Sequence, residues 1–365
     1  MRGRSKAFFI NGGAGRVLCS IPALERYAKD SGDKDFVVVC ESGMEFYRGH
    51  PVLHKHAFEV WHKGLFEHSL KDKDIVSPEP YRVNEYFNQK CSLAQGFDII
   101  INELDELRVL PHPEIDLSKE ELVRGYQSLQ EIKSATKKNK ILIFQPFGRS
   151  VQQMGPAVYD STSRSIEPQN VISIIQALRK EYGIIIMSQT PINLPDDEKH
   201  PVAVPQENDL RMWATMIHNA DHFLGCDSLG QHIAKALGTT ATVVIGSTYP
   251  INISYPDDKD FDIIDIGKDK RIYSPIRLTM DDERDRANND SIIMTDKEIK
   301  MVVDTVKKRM GKGTKFEGTV EPHQHTDQCG HNVRNNPEQP IGDASAYTKE
   351  APISIPQGMK LRDEG

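Results

Sequence analysis

Two periods of apolar spacing alternate along the chain. Short apolar runs at 7–10, 36–40, 98–101, 141–144, 184–187, 222–226 and 241–245 have the length of buried strands. Between them apolar positions recur at intervals of three and four, as helices burying one face require. Val17, Ile21, Leu24 and Ala28 mark the first helix, which Pro22 is expected to kink by removing a backbone donor. Val171, Ile174, Ile175 and Leu178 mark another, starting at Pro168. Leu210, Trp213, Ala214 and Ile217 mark a helix over 209–219, and Leu229, Ile233 and Leu237 the one after it. Ser118 with Glu121, and Thr295 with Glu298, have capping-box spacing and open helices running to about 134 and 309. Residues 150–167 read as a long polar loop, and the chain after Pro250 as irregular until the last helix.

Alternating strands and helices predict an α/β, doubly wound fold. A polar break at Lys137–Lys140 divides the 365 residues, which suffice for two domains. Net charge is −7, so no global field draws the chain to nucleic acid or anionic lipid, although a local basic cleft leaves nucleic acid open. No apolar run approaches the roughly 20 residues of a membrane span. The five cysteines have no paired spacing, as expected of a reduced, cytoplasmic protein.

The stretch with the most chemistry is 220–239. An apolar strand ends at Cys226, Asp227 and Ser228 form the turn, and the following helix carries His232 one turn after Ser228. Free amides and the positive dipole end of such a helix favour a phosphate, so Asp-Ser-x-Gly-x-His suggests a diphosphate ligand beside a carboxylate and an imidazole. The next strand ends in Gly246-Ser-Thr-Tyr-Pro250, small polar residues at a second strand end, where open α/β sheets bind ligands. Gly12, Gly13 and Gly15 form a glycine-rich turn after the first strand. It is neither a full dinucleotide fingerprint nor a P-loop, and a simple tight turn accounts for it as well. Five of thirteen histidines fall between 50 and 68, in a stretch that reads as an acceptor pocket or an ordinary surface loop. Beyond residue 312 apolar periodicity stops. There His323, His325, Cys329 and His331 form a candidate zinc or transition-metal set with no standard finger spacing, against the plainer reading of a solvated tail.

Residues 220–250 resemble the carboxyl-terminal half of glycosyltransferase family 9, the heptosyltransferase-like enzymes. The shared features are Asp227-Ser-Leu-Gly-Gln-His232 and Ile245-Gly-Ser-Thr-Tyr-Pro250. Gly15-Arg-Val-Leu-Cys-Ser-Ile-Pro-Ala-Leu24 is similar to the family's amino-terminal Gly-Asp-Val-Leu motif. The resemblance implies a GT-B architecture of two Rossmann-like domains facing a central cleft. Its parts would be an acceptor domain over 1–136, a nucleotide-sugar domain over 137–290, a helix over 291–311 packing back, and a tail over 312–365. It implies an inverting glycosyltransferase using a nucleotide-diphosphate sugar, with no metal needed for transfer. The acceptor stays open among carbohydrate, protein and modified nucleobase. Asp227 would contact the sugar or its phosphate. Ser228, the amides of Leu229 and Gly230, and His232 would hold the diphosphate, with Thr248 lining the cleft and Arg149 and Arg164 near the phosphates. One departure stands out, because Arg16 occupies the position of the family's proposed base and a guanidinium accepts no proton. Glu41 is the first substitute, followed by Glu103, His50 and His54, while Arg16 would hold an anionic acceptor or a phosphate. An inert sugar-nucleotide-binding protein and a sugar-nucleotide epimerase are the competing readings.

Overall fold

A computed structural model describes residues 4–154, 157–160, 162–195, 197–271 and 292–318. The metal candidates His323, His325, Cys329 and His331 lie outside these residues. Two parallel sheets organise the rest. The first has strand order β3-β2-β1-β4, from β1 (Lys6–Ile10), β2 (Val37–Cys40), β3 (Ala57–Glu59) and β4 (Asp74–Val76). The second has order β11-β10-β9-β5-β8, from β5 (Ile141–Gln145), β8 (Gly183–Ile186), β9 (His222–Cys226), β10 (Ala241–Ile245) and β11 (Phe261–Asp265). Strands β5, β8, β9 and β10 are buried at every residue, which explains their unbroken apolar runs: helices cover both faces.

On one face of the second sheet lie α5 (Pro168–Leu178) and α9 (Asp296–Met310), closing a core with Leu142, Phe144, Leu224 and Val244. A larger core joins both sheets. It runs from Phe8 and Ile10 through α1 (Ala14–Asp30) and α3 (Leu93–Ile101) to α6 (Leu210–Asn219), α7 (Leu229–Leu237) and Phe223. Pro22 sits inside α1, and the helix runs on to Asp30.

Two buried polar ties reinforce this junction. Arg211 of α6 is 2% exposed and donates to both Glu121 carboxylate oxygens, at the start of α4 (Lys119–Thr136), and to the carbonyls of Glu45, Arg48 and Asp116. In the short helix α8 (Pro250–Ile253), Asn252 donates to the carbonyls of Tyr86 and Cys91, next to α2 (Asn84–Phe87).

Several elements differ from expectation. Residues 98–101 belong to helix α3, not to a strand. Ser92 and Gln95 form a capping box, and Leu93, Phe97 and Ile101 share one face. The three isoleucines Ile99 to Ile101 fit either period, and Asp98 before them accepts from Arg108 at 2.6 and 2.7 Å. The loop expected over 150–167 contains the antiparallel hairpin β6 (Val151–Met154) and β7 (Ala157–Asp160). Strands β3, β4 and β11 were not anticipated, being short or only partly apolar.

Candidate functional site

In a parallel sheet the strand-to-helix turns gather at the carboxyl edge. Here that edge brings two turns together. The first follows β1, where Gly12 has φ of 90° and Gly13 occupies the cap position of α1 without a side-chain cap. The second follows β9, where Ser228 occupies the cap position of α7, also without capping it. A β-carbon placed on Gly15 would lie 3.8 Å from Leu229 Cα and 3.3 Å from His232 Cδ2. The first turns of the two helices therefore touch. Two positive dipole ends converge, and the Leu229 N–H has no protein acceptor among the described residues.

Arginines flank this junction. Arg149 is exposed and extends from the second sheet to the first, with Nη1 3.5 Å from Ser42 Oγ and 4.0 Å from a β-carbon placed on Gly13. Arg164 lies 4.0 Å from Asp227 Oδ2 and is steadied by the Thr162 hydroxyl at 3.0 Å. Asp160 braces the loop between β7 and α5, accepting from the backbone N–H groups of Thr162 and Ser165 and from both hydroxyls. Burial opposes its charge, but those bonds hold its carboxyl below the ordinary value.

Asp227 is buried. Its Oδ2 accepts from Thr248 Oγ1 at 2.9 Å, and Gln231 approaches Oδ1 at 3.4 Å. Burial raises its pKa, while Arg164 and the Thr248 hydroxyl pull the other way. His232 is also buried, with Nδ1 2.9 Å from Tyr255 Oη and 3.5 Å from Cys19 Sγ. Burial and the charge of Arg164 push the imidazole down to about 4, so it is neutral at pH 7.

Some expected roles are filled by the protein itself. The Gly230 amide donates to Gln145 Oε1 at 2.8 Å, so it is not free for a diphosphate. Gln145 Nε2 also donates to Ser228 Oγ at 3.2 Å. Gly230 is needed for space: a β-carbon there would fall 2.4 Å from Phe223 Cζ and 2.5 Å from Gln145 Oε1. Gly230→Ala should therefore cost about 1–3 kcal/mol in urea unfolding, and an unchanged midpoint would mean that the Phe223 ring yields.

Arg16 pairs within the protein. It is buried against the rings of Tyr81 and Phe97, paired with Glu79 at 2.9 Å and donating to the Pro78 carbonyl at 3.3 Å. A protein carboxylate thus takes the place of the expected anionic ligand.

Glu41 Oε2 accepts from Gly12 N at 2.6 Å. Strand order places Glu41, after β2, and Glu79, after β4, on either side of the glycine turn. Glu103 is remote from it, since it pairs with Lys6 at the opposite end of β1. His50 is buried, bonded to Glu25 and to the Val52 and Leu53 amides, and His56 stacks on Phe36, so these histidines serve the fold. His54 is exposed on a short turn. No group of three or more His, Cys, Asp or Glu side chains suited to a metal occurs among the described residues.

The architecture has counterparts among solved structures. A glycosyl transferase family 9 protein from Veillonella parvula superposes with a TM-score of 0.58 at 13% identity, over 84% of this chain and 97% of that one. The chain has the glycosyltransferase family 9 fold. ADP-heptose LPS heptosyltransferase II from E. coli shares this GT-B-like architecture, with a TM-score of 0.53 at 11% identity over 83% of this chain and 99% of its own. The iron-containing dodecameric glycosyltransferase TibC, from enterotoxigenic E. coli, gives 0.50 at 12% identity over 84% and 77%. No sequence family and no curated protein sequence matches the chain.

Glu79, Gln145, Asp160 and Tyr255 escaped the sequence reading. Gln145 ends an apolar strand, a position that could have marked it. Glu79 and Tyr255 stand in irregular segments, and Asp160 ends the short hairpin strand β7, none of them with a periodic signal.

Proposed function

We propose that the chain is a glycosyltransferase using a nucleotide-diphosphate sugar. The supporting observation is the contact between two uncapped helix N-termini, bordered by Arg149, Arg164 and His232, at the carboxyl edges of two parallel sheets. This concentrates positive potential where a departing diphosphate needs it. Leu229 N–H, Ser228 Oγ, His232 and the two arginines would hold the diphosphate. Asp227 and Thr248 would face the sugar side, and Gly12, Gly13 and Gly15 would let the ligand approach the backbone. The solved heptosyltransferase II is named for ADP-heptose, which makes ADP-linked sugars the first donors to test.

The reaction is a single displacement with inversion. The acceptor hydroxyl oxygen forms a bond to the anomeric carbon while the bond from that carbon to the diphosphate oxygen breaks. The electron pair leaves with the nucleotide, and the acceptor proton passes to a carboxylate. The two carboxylates bracketing the turn, Glu41 and Glu79, are the candidates for that proton. Fixed cations and helix ends meet the diphosphate charge in this reading, so transfer needs no metal.

The test is thermal unfolding against ADP-, UDP-, GDP- and CMP-sugars and the free nucleotides. A ligand that binds only the native state raises the midpoint. One nucleotide class should do so, and Asp227→Ala or His232→Ala should diminish the shift. If no nucleotide moves the midpoint, the donor reading fails. Donor binding without turnover toward any acceptor or water would favour an inert binding protein of this fold.

A further inference from the structure

His232 stands at the junction of the two helices, and its surroundings specify more than its place. One ring edge is enclosed: Nδ1 lies 2.9 Å from Tyr255 Oη and 3.5 Å from Cys19 Sγ. The other edge faces the turn, with Cδ2 and Nε2 3.3 and 3.9 Å from where a Gly15 β-carbon would be. Nε2 has no protein partner among the described residues. The two groups at Nδ1 come from opposite sides of the junction. Cys19 is on α1, one turn after Gly15, and Tyr255 follows α8.

Both neighbours are groups with a proton to give. Burial pushes the Tyr255 phenol well above its ordinary value and the Cys19 thiol up to about 12, so both keep their protons. A neutral imidazole has one N–H and one bare nitrogen. When a hydroxyl donates to Nδ1, the ring proton must sit on Nε2. The phenol is held for this task. Its ring meets Phe261 edge-on at 5.0 Å, and the Lys235 ammonium, itself paired with Asp258, lies 5.5 Å above it.

We infer that Tyr255, supported by Cys19, is a positioning residue that fixes His232 in the Nε2–H tautomer, so that the ring offers a hydrogen-bond donor to an anion at the two helix ends. The inference deepens the donor-site reading and rests on it for its ligand. The tautomer itself can be observed without any ligand. With the proton on Nδ1, a bare lone pair would face the same anion and repel it. Sequence spacing set the His232 imidazole beside the expected diphosphate and the family resemblance implied that it holds it, whereas the device that orients it lies 23 residues further on.

The test uses protein labelled with ¹⁵N-histidine. Long-range ¹H–¹⁵N correlation spectra report the His232 tautomer, with the signal assigned by its loss in His232→Gln. The wild type should show Nε2–H near neutral pH, and Tyr255→Phe should show a mixture of the two forms. Calorimetric titration with ADP should show about three- to tenfold weaker binding for Tyr255→Phe. The same change should have little effect when made in the His232→Gln background. An Nδ1–H signal in the wild type overturns the inference, as does an unchanged tautomer in Tyr255→Phe. Equal loss of ADP affinity in both backgrounds would also overturn it, because the hydroxyl would then act through general structure. If the wild type shows Nε2–H but binds no ADP or ADP-sugar, the tautomer assignment stands and the donor reading falls.

Discussion

Arg211→Met should lower the free energy of unfolding by about 3–5 kcal/mol, the typical cost of removing one partner of a buried pair. The side chain fits the space, but Glu121 loses both its bonds from Arg211 and the carbonyls of Glu45, Arg48 and Asp116 lose that donor. Urea unfolding at pH 7 would show a lower midpoint at an unchanged slope. A shift under about 1 kcal/mol would mean that the charges cost as much to bury as they return. Acid supplies a second reading. Hydrogen bonds from Arg211, against a smaller opposing effect of burial, pull the Glu121 carboxyl down to about 2 from an ordinary 4.5. A carboxylate depressed in the folded state contributes stability above its unfolded pKa and loses it as pH falls toward the folded one. The gap between wild type and variant should therefore narrow from about pH 5 toward pH 2.

Arg164→Met should weaken nucleotide-diphosphate binding by roughly 10- to 100-fold, as expected when a charged hydrogen-bond donor is lost from an anion site. The fold should survive, since the side chain is 29% exposed and, among the described residues, donates to the Thr162 and Ser150 hydroxyls, apart from its 4.0 Å approach to Asp227. Removing it also takes away the charge that restrains Asp227, so that carboxyl should rise further above its ordinary range. Calorimetry with the best nucleotide from the thermal panel measures the loss. Affinity within about twofold of wild type would separate Arg164 from the phosphates and leave Arg149 as the cation of the site.

The long buried strands and the one-faced helices could be read from the chain because their period is written locally. Val37 to Cys40 and His222 to Cys226 are apolar enough to sit between covered faces, and Leu229, Ile233 and Leu237 repeat every turn. Residues 98–101 misled because three isoleucines after Asp98 suit either period, and the decisive signal was the cap at Ser92. The two turns of the site were legible for the same local reason. What faces them was not. Glu79 is matched to Arg16 across 63 residues and Tyr255 to His232 across 23, and no periodicity encodes such pairings. The Gly230 amide looked free because nothing nearby in sequence shows that Gln145, 85 residues earlier, already occupies it.

The larger core passes without a break from Phe8 in the first sheet, through α1 and α7, to Phe223 and Val243 in the second. Neither sheet therefore owns a complete interior. Cutting the chain at the polar break near residue 138 would leave each piece with the greasy flank its neighbour used to shield. The sheets should therefore unfold as one cooperative unit, in a single calorimetric step.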